Sequence, residues 1–145
     1  MRIGDSLFME TGKDGGPKSR VDGFWFIRIK WLFSVALLRF DKGSREAFHS
    51  HAFNSWSWLL IGGLEERVLP DPNCQCVTVT QRYEPSLRPI RTLRSTLHKV
   101  YGLKDSNWVL TFRGPWADTW EEIDESGDRV VLTHNRVEVS RVEVN

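Results

Sequence analysis

Short runs of β-branched and aromatic residues, each closed by a turn signal, are the feature that most constrains how this chain can fold. From Phe24 onward these runs alternate with turn-forming segments such as Asp41-Lys42-Gly43, Pro70-Asp71-Pro72-Asn73 and Ser126-Gly127-Asp128, whose residues tolerate turn geometry. The pattern predicts strands at residues 24–30, 32–40, 47–51, 55–61, 64–69, 76–83, 90–93, 97–103, 107–113, 119–123, 130–133 and 136–144. Short strands at this spacing, with little sign of helix, predict an all-β fold, either an antiparallel sandwich or a barrel.

The first 23 residues differ from the rest in composition. They are rich in glycine and charged residues and include Gly15-Gly16-Pro17, a combination that favours loops over packed elements. We therefore expect a loosely structured N-terminal arm over residues 1–23 and one β-barrel domain over residues 24–145. A chain of 145 residues is long enough to bury the core of one such domain.

Charge and hydropathy exclude several classes of protein. Twenty Lys and Arg face nineteen Asp and Glu, a net charge of +1, so we expect no electrostatic binding of nucleic acid. The longest apolar run, residues 31–38, is too short to cross a membrane. Cys74 and Cys76 are separated by one residue; a disulfide between them would be strained, and a thiolate zinc site would lack a second Cys pair. The two cysteines therefore fit a reducing compartment, and we expect a cytoplasmic protein.

The aromatic content indicates an apolar interior or an aromatic-lined pocket. Seven Trp and eight Phe occur in the chain, and rings of that size need extensive burial. In Trp56-Ser57-Trp58 the two indoles project to one face of a predicted strand, while Ser55 and Ser57 project to the other. One face of the strand therefore carries large side chains and the opposite face carries small ones, as expected beside a cavity.

Three histidines form the most informative constellation. His49 and His51 would point the same way on a strand, so two imidazole nitrogens can bind one metal ion without backbone distortion. His98, 47 residues after His51, is far enough along the chain to return across a barrel as the third ligand. The alternative is that these are surface or core histidines, because an isolated His-x-His also arises by chance.

The segment around these histidines resembles the first motif of the cupin superfamily. That motif asks for a glycine, five residues, His-x-His, three or four residues, a glutamate, six residues and a glycine. Gly43, His49 and His51 match it, and the closing glycine falls in the Gly62-Gly63 pair. The resemblance implies an RmlC-like jelly-roll barrel, that is, a double-stranded β-helix.

Two departures from the cupin pattern affect the predicted ligand set. Ser55 or Trp56 occupies the position of the motif glutamate, and the second motif is retained only as His98, with Leu93 and Ser95 at its proline and glycine positions. The usual set of three histidines and one glutamate is therefore reduced to three histidines. Cysteine-dioxygenase-like cupins, whose site consists of three histidines alone, become the closer comparison.

A narrower resemblance runs from about residue 25 to residue 120. The chain looks like small cupin-like proteins that are common in bacteriophage genomes and have no settled activity. The resemblance implies the cytoplasm of a bacterial host, and dimerisation is common among cupins, so a homodimer is an open expectation. It is carried by Leu38-Arg39-Phe40, His49-Ser50-His51, Leu60-Ile61-Gly62-Gly63, His98, Thr111-Phe112-Arg113-Gly114-Pro115 and Trp120.

A three-histidine site favours particular chemistry. Three neutral imidazoles leave the ion its full charge and open coordination positions, which suits Fe(II) activating dioxygen or a Lewis-acid role, while Zn, Ni and Mn remain open. Candidates to orient an anionic substrate are Tyr83, Tyr101, Arg91 and Arg94, although the arginines are also typical of a solvated strand face.

Three functional hypotheses follow. The first is a metal-dependent oxygenase of the dioxygenase type acting on a small polar molecule. The second is a non-catalytic cupin that binds a small ligand or a protein partner. The third is a metal-independent isomerase or epimerase in which a histidine acts as base and Tyr83 or Tyr101 as acid.

Overall fold

The computed structural model of the protein describes residues 1–3, 6–17, 19–43 and 47–143. Every strand pairing in these ranges is antiparallel, and one short 3-10 turn at His134–Arg136 is the helical element among them. The all-β prediction is confirmed. The strands are β1 (Arg2–Ile3), β2 (Ser6–Lys13), β3 (Val21–Ile29), β4 (Phe33–Gly43), β5 (Ser55–Ile61), β6 (Leu64–Leu69), β7 (Val79–Tyr83), β8 (Ile90–Thr92), β9 (Leu97–Arg113), β10 (Thr119–Ile123), β11 (Arg129–Thr133) and β12 (Val137–Val142).

The strands form two sheets. The larger runs β1-β2-β3-β4-β9-β5-β8, with β6 also paired to β9 and β7 paired to β6, and the smaller runs β10-β11-β12. His49 connects them through isolated bridges to His98 of β9 and Glu122 of β10. No helix in the described ranges is long and apolar enough to cross a membrane.

Strand β9 is the central element and is bent near its middle. Its first half pairs with β6 and its second half with β4 and β5. At the bend the Asn107 side chain, fully buried, accepts hydrogen bonds from the Gly63 and Lys104 backbone N–H groups and donates to the carbonyls of Phe40 and Lys104. The turn predicted at residues 104–107 is therefore a bulge within one continuous strand, because one buried amide satisfies the backbone groups that the bulge leaves unpaired.

Two glycines permit the close approach of strands at this bend. Gly62 has a φ of +98°, and a Cβ there would lie 2.5 Å from Asn107 Oδ1. A Cβ at Gly102 would lie 2.3 Å from the Asp41 carbonyl oxygen. The Gly62-Gly63 turn predicted from sequence is thus a kink between β5 and β6. It allows both strands to pair with β9, each with a different half of it.

The expected loose arm over residues 1–23 is wrong for most of that segment. Strand β2 pairs along β3 from Ser6–Ile29 to Lys13–Asp22, and β3 itself begins at Val21. Glycine in a strand weakens only the local preference, and the long partner strand β3 outweighs it by pairing and side-chain packing.

Two more strand predictions need correction or qualification. Residues 47–51 do not form a strand; His49 alone is paired there, exchanging backbone hydrogen bonds of 2.9 and 3.0 Å with His98. Residue 144, at the predicted end of the last strand, and residues 44–46, inside the first motif, lie outside the described residues.

The main core lies between the inward faces of β3, β4, β5, β6 and β9. Its buried members are Trp25, Ala36, Leu38, Leu59, Leu64 and Val109. They alternate along their strands with outward residues, as half-buried strands require. A smaller cluster of Leu69, Leu97 and Ile123 packs beside the histidine-bearing end of β9.

Candidate metal centre

A cavity of about 320 Å³ opens inside the larger sheet. Ser55 and Ser57 of β5 and Thr111 of β9 face it, and Ser57 donates a 3.0 Å hydrogen bond to Thr111. Trp56, on the opposite face of β5, remains 38% exposed. The prediction that this strand has large side chains on one face and small ones on the other is confirmed. The face with the small side chains lines the cavity.

The structure brings His49, His51 and His98 together at the wall of this cavity. One ring nitrogen from each residue lies within 4.8 Å of the other two, and the ring centroids are 5.0 to 5.3 Å apart. His98 is buried, whereas His49 and His51 are half-buried. The histidines converge although residues 47–51 are not a strand, because the His49–His98 bridge fixes the backbone of this segment against β9.

The distance between two of these nitrogens suits a shared ion. His51 Nε2 and His98 Nε2 are 2.9 Å apart. Two nitrogens about 2.1 Å from one ion, at right angles, would lie about 3.0 Å apart. In the absence of an ion one of the two must carry a proton to hydrogen-bond the other, so metal binding would replace that proton.

Groups behind two of the rings orient them. His98 Nδ1 lies 2.5 Å from Glu66 Oε1, and His49 Nδ1 lies 3.2 Å from the Ala47 carbonyl oxygen. Each contact calls for an N–H on Nδ1, which leaves the Nε2 of a neutral ring without a proton and able to bind an ion. His98 is therefore held in the tautomer that a metal ligand needs.

Glu66 also connects His98 to Tyr83. The Tyr83 hydroxyl donates a 2.7 Å hydrogen bond to Glu66 Oε2, and both residues line the cavity. Burial raises the pKa of Glu66, but the hydrogen bond and charge of His98 lower it by more, so the pKa lies below its usual value. Burial and the Glu66 carboxylate raise the pKa of Tyr83. At neutral pH the Tyr83 phenol is therefore neutral and the Glu66 carboxylate is ionised.

A buried ion pair forms another part of the cavity wall. Arg113 of β9 donates hydrogen bonds of 3.0 and 2.6 Å to the two carboxylate oxygens of Asp14, and both residues line the cavity. Burial raises the pKa of Asp14, while the Arg113 guanidinium lowers it by more, and the net shift is downward. The pair is thus ionised at neutral pH.

Of the four residues predicted to orient a substrate, Tyr83 alone lines the cavity. Tyr101 packs against Arg67 and Lys99 with its ring 4.6 and 5.7 Å from their cationic groups, on the face of β9 opposite His98 and Val100. Arg91 and Arg94 are exposed. Arg91 alternates with the cavity-lining Ile90 and Thr92 on β8, so it points outward.

Sequence reasoning missed three residues at this site: Glu66, Arg113 and Asp14. Glu66 carried a usable signal, because it shares a strand face with the buried Leu64 and is therefore a carboxylate on an inward face. Asp14 and Arg113 carried none, since they are 99 residues apart and Asp14 lies in the segment predicted to be loose.

No protein-family model matches the sequence, and no curated protein is significantly similar to it. Solved structures are similar in fold. An RmlC-like cupin from Shewanella frigidimarina NCIMB 400 superposes with a TM-score of 0.54 at 14% identity, over 74% of this chain and 84% of that one. The chain has the cupin fold.

Two enzymes of the cupin fold are similar over part of their length. Oxalate decarboxylase from Bacillus subtilis matches with a TM-score of 0.55 at 9% identity, over 77% of this chain and 29% of that one. HppE in its Fe(II) form matches with a TM-score of 0.58 at 11% identity, over 72% of this chain and 55% of that one. The predicted cupin fold is confirmed; the narrower resemblance to phage-encoded proteins stays a prediction.

Proposed function

We propose that this chain is a mononuclear metalloprotein of the cupin fold and that His49, His51 and His98 bind one divalent ion, Fe(II) first among the candidates. The observation that carries the proposal is the convergence of three ring nitrogens within 4.8 Å. The proposal is supported by the 2.5 Å contact between His98 Nδ1 and Glu66 Oε1, which orients the His98 ring. Functional metal sites characteristically orient ligand histidines in this way.

We propose further that the site is that of an oxygenase acting on a small polar molecule. An Fe(II) ion held by three neutral imidazoles would supply open positions at which dioxygen and substrate can react. The surrounding residues provide the rest of the site. Ser55 and Thr111 leave space beside the histidines, Phe53 and Trp116 form an apolar wall, and Tyr83 presents a hydroxyl held by Glu66. One of the structural neighbours, HppE, is known in an Fe(II) form.

Metal content tests the proposal directly. Protein prepared without a histidine tag and reconstituted anaerobically with Fe(II) should hold one ion per chain by elemental analysis. His51→Ala and His98→Ala should lose it. His134 is the matched control, because it is the fourth histidine of the chain and stacks on Trp116 outside the cluster, so His134→Ala should keep the ion.

Two outcomes would count against the proposal. A folded wild-type protein that takes up no divalent ion would refute the metal site. An Fe(II)-loaded protein that shows no substrate-dependent oxygen uptake across a panel of small acids, alcohols and amines would refute the oxygenase assignment and leave a cupin that binds ligands without catalysis.

One observation favours a second candidate, a metal-independent isomerase or epimerase. The Tyr83 hydroxyl lies in the cavity and its pKa is raised, so it keeps its proton at neutral pH. It would act as the acid by turning its O–H from Glu66 to a substrate, while a cluster histidine could accept a proton. Activity that survives chelation but is lost in Tyr83→Phe would favour this candidate over the oxygenase.

The outward face of the larger sheet is the surface on which we propose homodimer formation. Aromatic and aliphatic side chains on neighbouring strands remain exposed there, including Trp56, Phe112 and Leu60 at 38%, 37% and 48%. Exposed apolar groups that are contiguous across strands are typical of association surfaces, and a twofold axis would let the same face of a second copy cover them.

A further inference from the structure

Arg113 is the most buried cation at the cavity. Its side chain is 5% exposed, and its guanidinium carbon lies 4.8 Å from the Trp25 ring and 4.6 Å from the Phe53 ring. A charge so far removed from water requires a counterion, and Asp14 supplies one through two hydrogen bonds. The cavity wall therefore already contains a bidentate site for a carboxylate.

Arg113 keeps further binding capacity beyond Asp14. Its Nε is buried and has no hydrogen-bond partner among the described residues, and the same is true of Nε1 of Trp116. Both residues line the cavity and both pack against Phe53. Buried donors without partners are uncommon in native proteins, so these two indicate an acceptor that the protein itself does not provide.

The arginine is also close to the histidine cluster. Phe53 stacks on His51, with 5.1 Å between ring centroids, and contacts the Arg113 guanidinium as well. A molecule that reaches from Arg113 to the histidines would lie along the Phe53 ring. The cavity volume of about 320 Å³ limits it to a small ligand.

Asp14 can leave Arg113 without unfolding its surroundings. It lies just after β2, in the connection to β3, and its side chain is 23% exposed. Its backbone is anchored separately, by a 2.9 Å hydrogen bond from its N–H to the Val21 carbonyl oxygen. Rotation of the side chain toward solvent would release the guanidinium and keep the strand pairing.

We propose that Arg113 recognises the carboxylate of a small, partly apolar substrate through Nε and the Nη2 that now donates to Asp14, so that this carboxylate takes the place of Asp14. The inference deepens the proposed function by naming the substrate class of the same cavity, but it concerns ligand binding by the chain itself. It can therefore be tested on protein from which all metal has been removed.

The probes are benzoate and phenylacetate, each compared with its neutral amide, titrated calorimetrically into chelator-treated protein. The carboxylates should bind and the amides should not. Arg113→Gln should weaken carboxylate binding about 10–100-fold, the cost of losing a charge-assisted hydrogen-bonded pair. Glu65→Gln, which changes a carboxylate paired with Arg67 and Arg82 away from the cavity, should bind carboxylates as wild type does. Because the protein is free of metal, failure of this inference remains distinct from failure of the metal site.

Asp14→Asn provides the decisive variant, because it retains the side-chain size and removes the competing charge. It should bind benzoate more tightly than wild type, and benzoate should raise its melting temperature more than benzamide does. Arg113→Lys and Asp14→Asn are carried in parallel in case Arg113→Gln fails to fold, with circular dichroism as the check on folding. Equal binding of acid and amide, or unchanged benzoate affinity in folded Asp14→Asn, would overturn the proposal.

Discussion

Replacing Glu66 by glutamine would remove one charge behind His98 and leave the size of the side chain almost unchanged. In the wild type, Glu66 accepts from His98 Nδ1 at 2.5 Å and from the Tyr83 hydroxyl at 2.7 Å. The glutamine carbonyl can still accept from His98, and the Tyr83 oxygen can accept from the glutamine amide. The hydrogen bonds would be preserved while their charge assistance is lost.

The size of the effect follows from that difference. A hydrogen bond to a charged group contributes about 1.5–3 kcal/mol and a neutral one about 0.5–1.5 kcal/mol, so the change costs about 1–1.5 kcal/mol. That corresponds to metal affinity about tenfold weaker, at the lower end of the 10–100-fold range typical for groups that orient metal ligands. Competition between the protein and a chromophoric chelator for Fe(II) or Zn(II) measures it.

Glu65 provides the matched control. It precedes Glu66 on β6 but faces the other way, where it pairs with Arg67 and Arg82 at 3.0 Å each. Glu65→Gln should therefore bind metal as the wild type does. Wild-type affinity in a folded Glu66→Gln protein, or an equal loss in both variants, would refute the role assigned to Glu66.

Three other predictions concern stability and assembly. Gly62→Ala should lower the free energy of unfolding by about 1–3 kcal/mol in urea titrations because of its positive φ, whereas Gly12→Ala, with nothing within 4 Å of the new Cβ, should change it by less than about 0.5 kcal/mol. The pKa of Asp14 in the folded protein lies below its usual 3.8. Its pair with Arg113 therefore stabilises the protein above pH 3.8, and this contribution is lost as the pH falls through the folded pKa. Asp14→Asn should flatten the dependence of the melting temperature on pH in that acid range. Phe112→Glu should convert a dimer to a monomer in sedimentation velocity, and a monomeric wild type would refute the proposed association surface.

The strands that were predicted best are those with local signals at both ends. The ranges 55–61, 64–69 and 119–123 match the structure to the residue, because turn-forming residues such as Gly62-Gly63, Pro70 and Asp118 limit them. The prediction for the first 23 residues failed because the deciding signal is not local. Strand β2 depends on pairing with β3, and no local pattern can show that a glycine-containing segment has such a partner.

The candidate site likewise contains residues that a local pattern reveals and residues that only strand pairing reveals. His49 and His51 were recognisable from their spacing, and the cavity from the alternation of Trp56 with small residues. The supporting residues depend on strand register. Glu66 reaches His98 only because β6 pairs with β9 so that Val68 lies opposite His98, and a shift of one residue would turn Glu66 outward.

The position of Glu66 changes what the site can accommodate. The cupin motif would place its ligand glutamate at Ser55 or Trp56; Ser55 lines the cavity and Trp56 points outward. The carboxylate found here meets His98 on the side away from the other two histidines, where it fixes the tautomer without itself occupying a coordination position. The space that a glutamate at Ser55 would fill is left to the cavity. An ion bound by three neutral imidazoles would then keep both its charge and an open side facing that space, and such a site favours an anionic ligand over a neutral one of the same shape.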